Sequence, residues 1–292
     1  MTDFVKNIKN IKPSIFKPLE IYLECIRSKE CKECKGKTTG ILQFPNQTKR
    51  VVVFGDIHGD FELLLSLFLK ANLVNDNLEW IGKDTYVVQM GDILDRGGRP
   101  NSIDSEHECE ELQIIQFLDF INKKAQEFGG KVLCLLGNHE LMNVMGDFRY
   151  TSINTNKCFK NRKEIFSPGS ELCQKIACIT YGIIKIDDWV FVHGGLLPKH
   201  IESYRNEPEE FFKNVNNLTQ QILKGEKNVN NLTENEKSII LSEEGIFWTR
   251  QLNKNCELVY QSYDILQLKK GGIIVGHTPV DSITSNCDER YW

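Results

Sequence analysis

The sequence predicts an α/β fold, because short apolar runs alternate with amphipathic stretches and each run ends at a polar turn that contains glycine. The apolar runs lie at residues 50–54, 85–90, 132–136, 189–192 and 272–275. Runs that are apolar throughout are typical of strands covered on both faces. We therefore expect a sheet that is buried between other layers.

Helices are predicted between the first three strands. Leucine and phenylalanine recur at helical spacing within residues 61–73. Residues 106–128 begin with acidic side chains, end with Lys123 and Lys124, and are followed by Gly129, an order typical of a helix and its stop. Residues 176–192 are strand-like around Asp187 and Asp188, which predicts a hairpin. The polar, asparagine-rich residues 207–242 predict a helical insertion over one edge of the core.

Length and composition fit one large soluble domain with appendages. Of the 292 residues, 40% are hydrophobic and 26% are charged, as in ordinary globular proteins. The net charge is −4, yet residues 1–50 hold 11 basic and 5 acidic side chains. We expect residues 1–48 to form a basic, solvated extension and residues 49–292 to form the main domain, with the insertion at about 200–245. No aromatic residues interleave with the basic ones, so no nucleic-acid partner is expected.

The cysteines and the apolar segments indicate the cellular location of the protein. No run reaches the roughly 20 apolar residues that span a bilayer, and residues 1–16 lack the apolar run of a secretory signal. We expect no membrane partner and a cytoplasmic or nuclear location, where the ten cysteines would stay reduced. Cys31 and Cys34 lie close together near Cys25, but a structural zinc site requires four ligands at recognisable spacing. We interpret them as ordinary reduced cysteines.

Residues with metal-ligating side chains follow the predicted strands. They are Asp56 and His58 after the first strand, Asp92 and Asp95 after the second, Asn138 and His139 after the third, and His193 and His277 after the last two. Open α/β sheets bind ligands at the carboxyl ends of their strands. Iron, zinc and manganese all accept such a mixture of nitrogen and oxygen ligands. The sequence therefore predicts a metal site at one edge of the sheet.

These blocks, in this order, resemble the phosphoprotein phosphatase branch of the calcineurin-like metallophosphoesterases. The resemblance covers roughly residues 50–279, and residues 136–150 are similar to the Shewanella-like phosphatases in particular. It implies a metallophosphoesterase-type β-sandwich flanked by helices. Further strands follow the last histidine block in the resembling proteins, whereas 13 residues follow Pro279 here. We therefore expect either an exposed sheet edge or a truncated chain.

The resemblance also implies a role for each ligand. One metal ion would be held by Asp56, His58 and Asp92, and the other by Asp92, Asn138, His193 and His277. The two divalent ions, manganese, iron or zinc, would activate a bridging hydroxide that attacks phosphorus directly. His139 would protonate the leaving alkoxide, and Asp95 would hold its imidazolium.

Arginines beside the matched blocks are candidates for phosphate binding, since a guanidinium group donates two parallel hydrogen bonds and keeps its charge. Arg96 is the strongest candidate, and Arg250 lies in a short stretch that resembles a second phosphate-binding segment of these phosphatases. Arg99 and Arg149 would either contact the substrate or be surface charges.

Three functions remain open from the sequence. The first is a phosphoprotein phosphatase acting on phosphoserine or phosphothreonine, with phosphotyrosine also possible. The second keeps the metal chemistry but takes a small phosphorylated molecule such as a dinucleoside polyphosphate. The third is a catalytically silent scaffold or binding protein, which the complete set of ligands argues against. The regulatory partner is not specified.

Overall fold

The computed structural model describes residues 16–27, 39–44, 49–96, 110–152, 155, 158–159 and 161–292. In chain order the strands of these residues are β1 (Ile41–Leu42), β2 (Val51–Phe54), β3 (Tyr86–Gln89), β4 (Lys131–Leu135), β5 (Thr180–Tyr181), β6 (Ile183–Ile186), β7 (Trp189–Val192) and β8 (Ile273–Ile274). One sheet has the order β2-β3-β4-β5 and is parallel throughout. The other has the order β1-β6-β7-β8, with one antiparallel pair, β6 and β7.

Helices flank both sheets. They are α1 (Leu19–Arg27), α2 (Phe61–Lys70), α3 (Glu111–Gln126), α4 (Asn138–Val144), α5 (Arg162–Ile165), α6 (Glu171–Ile179), α7 (Pro198–Ile201), α8 (Pro208–Leu223), α9 (Glu234–Ile240) and α10 (Cys256–Ile265). The two helices predicted between the first strands are α2 and α3, and the predicted insertion contains α8 and α9. Within the described ranges, no helix is both long enough and apolar enough to cross a bilayer.

Alternate residues of the central strands face opposite layers. Val88 and Leu133 lie in an apolar cluster with Ile184 and Phe191 of the second sheet. Val87 points the other way, into the cluster that contains the flanking helices. Successive strand residues alternate between faces, so a strand that is apolar at every position fills two cores at once. The predicted burial on both faces and the β-sandwich flanked by helices are thus confirmed.

The segment predicted to form a hairpin, residues 176–192, is only partly made of strands. Residues 176–179 belong to α6 and not to a strand. The Ser170 hydroxyl caps this helix by accepting a hydrogen bond from the Cys173 amide at 3.2 Å, and Ile176 is buried on the same face as Leu172. The hairpin itself is present, since β6 and β7 pair with Ile186 opposite Trp189.

Described parts of the predicted N-terminal extension contribute to the fold. β1 adds a parallel strand to β6, and α1 packs against α6 with Tyr22 and Ile26 buried. The backbone of Lys17 exchanges two hydrogen bonds with the Gln116 side chain of α3, at 2.7 and 2.9 Å. The two-residue strand β1 is too short to show a hydrophobic period, whereas Leu19, Tyr22, Leu23 and Ile26 of α1 do stand at helical spacing, a signal that the prediction of a solvated extension overlooked.

The expected exposed sheet edge is wrong for this chain, because its last residues pair with β8. The Ile273 amide donates to the Arg290 carbonyl at 2.8 Å, and the Trp292 amide donates back to the Ile273 carbonyl at 2.9 Å. The Val275 amide completes the ladder by donating to the Trp292 carbonyl at 2.9 Å. The backbone groups at the edge of β8 are thus hydrogen-bonded by a segment too short to be predicted as a strand.

The prediction that the cysteines are reduced is also wrong at several positions. Cys256 and Cys287 form a disulfide with a Cα–Cα distance of 5.2 Å, and Cys25, Cys158 and Cys178 are disulfide-bonded as well. Cys134 and Cys173 are free and buried, whereas Cys31 and Cys34 lie outside the described residues. Such bonds are rare in cytosolic proteins, so the cytoplasmic or nuclear location stays a prediction for a localisation experiment.

The disulfide between Cys256 and Cys287 is expected to stabilise the fold by joining α10 to the segment that covers β8. It closes a loop with a sequence separation of 31 residues, for which loss of unfolded-state entropy gives about 3 to 4 kcal/mol. Replacing both cysteines by alanine should lower the free energy of unfolding by that order in denaturant titrations without reductant. An unchanged denaturation midpoint would contradict this expectation.

Candidate metal centre

The carboxyl ends of four strands and the loop after β8 converge on one place. The loop after β2 is fastened to the loop after β3 because the amides of Ile57 and His58 both donate to the Asp92 carbonyl, at 3.1 and 2.8 Å. The turns after β7 and β8 are fastened in the same way, since the Gly276 amide donates to the His193 carbonyl at 2.9 Å. The predicted ligands are thereby brought together by backbone hydrogen bonds.

Asp92 lies at the middle of this arrangement and is 2% exposed. Its Oδ2 atom is 3.2 Å from His193 Nε2, 3.8 Å from His58 Nε2 and 3.9 Å from His139 Nε2. Its other oxygen, Oδ1, accepts a hydrogen bond from the His139 amide at 3.0 Å. A single carboxylate oxygen therefore faces imidazoles from three separate segments of the chain.

Two ligand groups share this aspartate. The atoms offered by Asp92, His193 and His277 lie within 4.8 Å of one another, and so do those of His58, Asp92 and His139. Asn138 Oδ1 lies 3.0 Å from His193 Nε2 and extends the first group. Asp56 Oδ2 lies 4.0 Å from His58 Nε2 and extends the second. All six predicted metal ligands are therefore close together in space.

The donors present fit divalent cations. The Nε2 atom of His277 is buried and forms no hydrogen bond within the described part of the chain. A buried polar atom without a partner is unfavourable, and a metal ion would satisfy it. His193 Nδ1 lies 2.7 Å from the Met90 carbonyl oxygen, which fixes the ring with Nε2 towards Asp92. Buried carboxylates, an amide oxygen and oriented imidazoles form a set that iron, zinc and manganese accept.

Burial and neighbouring charges shift the pKa values of the candidate ligands. Burial alone would lower the pKa of His193, but the negative charge of Asp92 outweighs it and raises this pKa to about 9. Burial and the nearby His193 lower the pKa of His277 to about 3, while burial raises the pKa of Asp56. Ligand imidazoles must be neutral, so metal binding would displace the proton that His193 retains.

The backbone is strained at the same place. His58, Asp92, Asp95 and His277 have φ angles of 45°, 51°, 65° and 61°. This left-handed region is sparsely populated by residues other than glycine, and such outliers cluster at functional sites. Position 137 requires glycine, because a side chain there would collide with the Asp92 carboxylate. Four of the twelve non-glycine residues with positive φ in the described part of the chain therefore belong to this site.

Glu140 ties the ligand loops together, a role the sequence did not assign. Its carboxylate accepts from the amides of Asp92, Ile93, Leu94 and Gly137, at 2.7 to 3.0 Å. Burial and the charge of Asp92 raise the pKa of Glu140 to about 7. Because these amides precede or belong to ligand-bearing turns, Glu140 sets the spacing between the loops after β3 and β4.

Gln89 supports a neighbouring turn. Its side-chain amide donates to the Gly91 carbonyl at 2.7 Å and to the Gly55 carbonyl at 3.2 Å, and its oxygen accepts from the Gly91 amide at 3.1 Å. A polar residue ending an apolar strand was the available signal for this role.

His139 and Asp95 form the predicted pair. His139 Nδ1 lies 2.7 Å from Asp95 Oδ2, and the two residues are 5% and 1% exposed. Burial opposes both charges, yet the mutual hydrogen bond raises the pKa of His139 and lowers that of Asp95. The His139 ring also lies 5.2 Å from the ring of Tyr150, a neighbour that was not predicted.

The candidate arginines differ in position. The exposed Arg250 donates from Nη2 to the carbonyl oxygen of the ligand His277 at 3.1 Å, so its guanidinium lies beside the site. Arg96 forms an ion pair with Asp60 at 2.8 Å. Arg149 is 68% exposed and paired with Asp147, in the manner of a surface charge. Arg99 lies outside the described residues.

Comparisons with known proteins point to one family. The sequence profile described as calcineurin-like phosphoesterase matches residues 49–281. Shewanella-like protein phosphatase 2 of Arabidopsis thaliana is 32% identical over 199 residues, covering 53% of this chain and 48% of that protein. Shewanella-like protein phosphatase 1 of Plasmodium berghei (strain Anka) is 26% identical over 259 residues, covering 83% and 65%. The chain thus spans from about half to about two thirds of the length of these relatives.

Solved structures share the fold. A cold-active protein tyrosine phosphatase superposes with a TM-score of 0.71 at 21% identity, covering 89% of this chain and 72% of that one. The cold-active protein-tyrosine phosphatase of a psychrophilic Shewanella species gives 0.68 at 22% identity, covering 91% and 78%.

Proposed function

Because the chain belongs to the calcineurin-like phosphoesterase family, we propose that it is a metal-dependent phosphoprotein phosphatase. The observation that carries this proposal is the pair of ligand groups that share the buried Asp92, with His139 beside it. A catalytically silent descendant has no need to keep the six ligands, the strained turns and the buried acid pair together. The names of the two protein phosphatase relatives support a phosphoprotein substrate.

In this proposal Asp56, His58 and Asp92 hold one divalent ion. Asp92 also helps to hold the second ion, together with the remaining ligands Asn138, His193 and His277. Two bound ions supply Lewis acidity and activate water for attack on phosphorus. The identity of the ions, whether manganese, iron or zinc, is for metal analysis to determine.

The chain's own residues then complete the reaction. His139 donates its proton to the departing oxygen, and Asp95 keeps the imidazole oriented through the 2.7 Å hydrogen bond. Arg250, placed beside His277, binds the phosphate oxygens. Arg96 is the second candidate for that role, with its guanidinium oriented by the ion pair to Asp60.

The acid pair favours phosphoserine and phosphothreonine as substrates. Their leaving groups are alkoxides, which are far more basic than the tyrosine phenolate with its pKa of about 10. A strongly basic leaving group depends most on protonation in the transition state. The buried, hydrogen-bonded His139 supports this choice.

A substrate panel with added manganese tests the proposed function. Phosphoserine, phosphothreonine and phosphotyrosine peptides would be compared with a dinucleoside polyphosphate, and the serine or threonine peptides should give the highest kcat/KM. A preference for phosphotyrosine would support a protein phosphatase but assign it to the tyrosine-specific class. Faster hydrolysis of the nucleotide would favour the small-molecule alternative, and no hydrolysis with manganese, iron or zinc would favour a binding protein.

A further inference from the structure

A buried charged cluster contacts the Asp95 oxygen that does not face His139. Asp95 Oδ1 accepts from Asn143 Nδ2 at 2.9 Å, from Thr151 Oγ1 at 2.9 Å and from Arg162 Nη2 at 3.1 Å. Its other oxygen, Oδ2, faces His139. Three donors on one oxygen fix the plane of the carboxylate and leave the second oxygen to the imidazole.

Arg162 is itself held on several sides. Its Nη1 and Nη2 atoms donate to the two Glu111 oxygens at 2.6 and 3.2 Å, and its Nε donates to Asn143 Oδ1 at 2.7 Å. The guanidinium carbon lies 5.1 Å from the ring centre of Phe159 and 4.8 Å from that of Phe166. A guanidinium that is paired bidentately and stacked between two rings has no alternative orientation.

Glu111 connects this cluster directly to the Asp95 backbone. Its Oε1 atom accepts from the Asp95 amide at 2.6 Å, so one carboxylate orients both the backbone of Asp95 and the Arg162 that binds its side chain. Glu111 is 0% exposed and Arg162 is 4% exposed. Buried ion pairs contribute little net stability compared with apolar residues of similar size. Their presence here is better explained by what they orient.

We infer that Arg162 and Glu111 are positioning residues, which act through Asp95 to hold His139 in the orientation for proton donation to the leaving group. This inference rests on the proposed function. The charge of Arg162 also opposes the effect of burial on the pKa of Asp95. Neither residue reaches the substrate in this account, so both affect the protonation step and not phosphate binding.

The test compares two substrates with different leaving groups. A phosphoserine peptide releases a basic alkoxide that requires the acid, whereas p-nitrophenyl phosphate releases a stable anion that does not. In Arg162→Lys, which keeps the charge but loses the planar fork, kcat for the peptide should fall by about 10- to 100-fold. KM should stay the same, and kcat for p-nitrophenyl phosphate should change little. His139→Asn gives the reference for complete loss of the acid and should show the same selectivity more strongly.

Two further variants keep the result interpretable. Glu111→Leu with Arg162→Met replaces the whole buried pair, which is better tolerated than removing one partner, and it should show the same selective loss if Arg162→Lys does not fold. Arg205→Lys alters an exposed arginine paired with Glu202 and Asp264, and kcat should be unchanged for both substrates. Circular dichroism and bound-metal analysis would confirm folding and site occupancy.

The outcomes separate the inference from the proposed function. Selective loss on the phosphoserine peptide supports the positioning role. Equal loss on both substrates, or no loss on either, in a folded and metal-loaded variant would overturn it while the function stands. If the unaltered chain hydrolyses neither substrate with any of the three metals, the proposed function and this inference fall together.

Discussion

Replacing Asp92 by asparagine is expected to reduce kcat/KM by about 1000-fold or more, because the proposed shared ligand would lose its charge. The Oδ2 atom of Asp92 lies within 4 Å of three imidazoles, and among the described residues Asp92 is the member that both ligand groups share. Asparagine has the same shape and still offers an oxygen to the His139 amide. The fold should therefore persist while metal binding is weakened.

This result would be measured as manganese-dependent hydrolysis together with bound metal per chain. Wild type should bind two ions, and Asp92→Asn should bind fewer. Asp76→Asn, an identical change on an exposed loop, should leave both quantities unchanged. Equal activity in Asp92→Asn and wild type would exclude the shared-ligand arrangement.

The convergence of the candidate ligands was predictable because most of them lie just after the end of a strand. The sequence places Asp56, Asp92 and Asn138 directly after apolar runs, and parallel strands carry such residues to one edge. No long-range information is needed for that step. The same reasoning applies to Gln89, whose polarity at the end of a buried strand is visible in the sequence.

The residues that support the site were not predictable in the same way. Arg162 and Glu111 are separated by 51 positions in sequence, and neither lies at a strand end. Their contact exists only once α3 and α5 are packed, and hydrophobic periodicity says nothing about which polar groups a packed helix buries. Cys256 and Cys287 were missed for a related reason, since proximity of two distant cysteines depends on the fold.

Short segments escaped prediction for a different physical reason. β1 has two residues, and the C-terminal ladder consists of a few backbone hydrogen bonds to β8. Such pieces are stabilised by an existing sheet edge and not by their own side-chain pattern. Residues 176–179 show the opposite effect, because apolar residues at the end of a helix resemble a buried strand when the cap at Ser170 is overlooked.

Replacing Glu140 by glutamine is expected to lower the free energy of unfolding by about 2 to 4 kcal/mol, because each buried backbone amide left without an acceptor costs about 1 to 3 kcal/mol. Four backbone amides converge on this carboxylate, and the side-chain amide of glutamine would turn a donor towards some of them. Activity should fall as well, since the Asp92 and Gly137 amides set the positions of two ligands.

Unfolding in denaturant, with and without manganese, separates these effects of Glu140→Gln. The loss of stability should be the same without manganese, because the amides that face the new side-chain NH2 group lack an acceptor whether or not metal is bound. Glu209→Gln, the same change at an exposed position on α8, should leave the denaturation midpoint unchanged. A Glu140→Gln variant as stable as wild type would show that the loops after β3 and β4 do not depend on this carboxylate for their positions. The spacing of the metal site would then depend on the bound ions themselves.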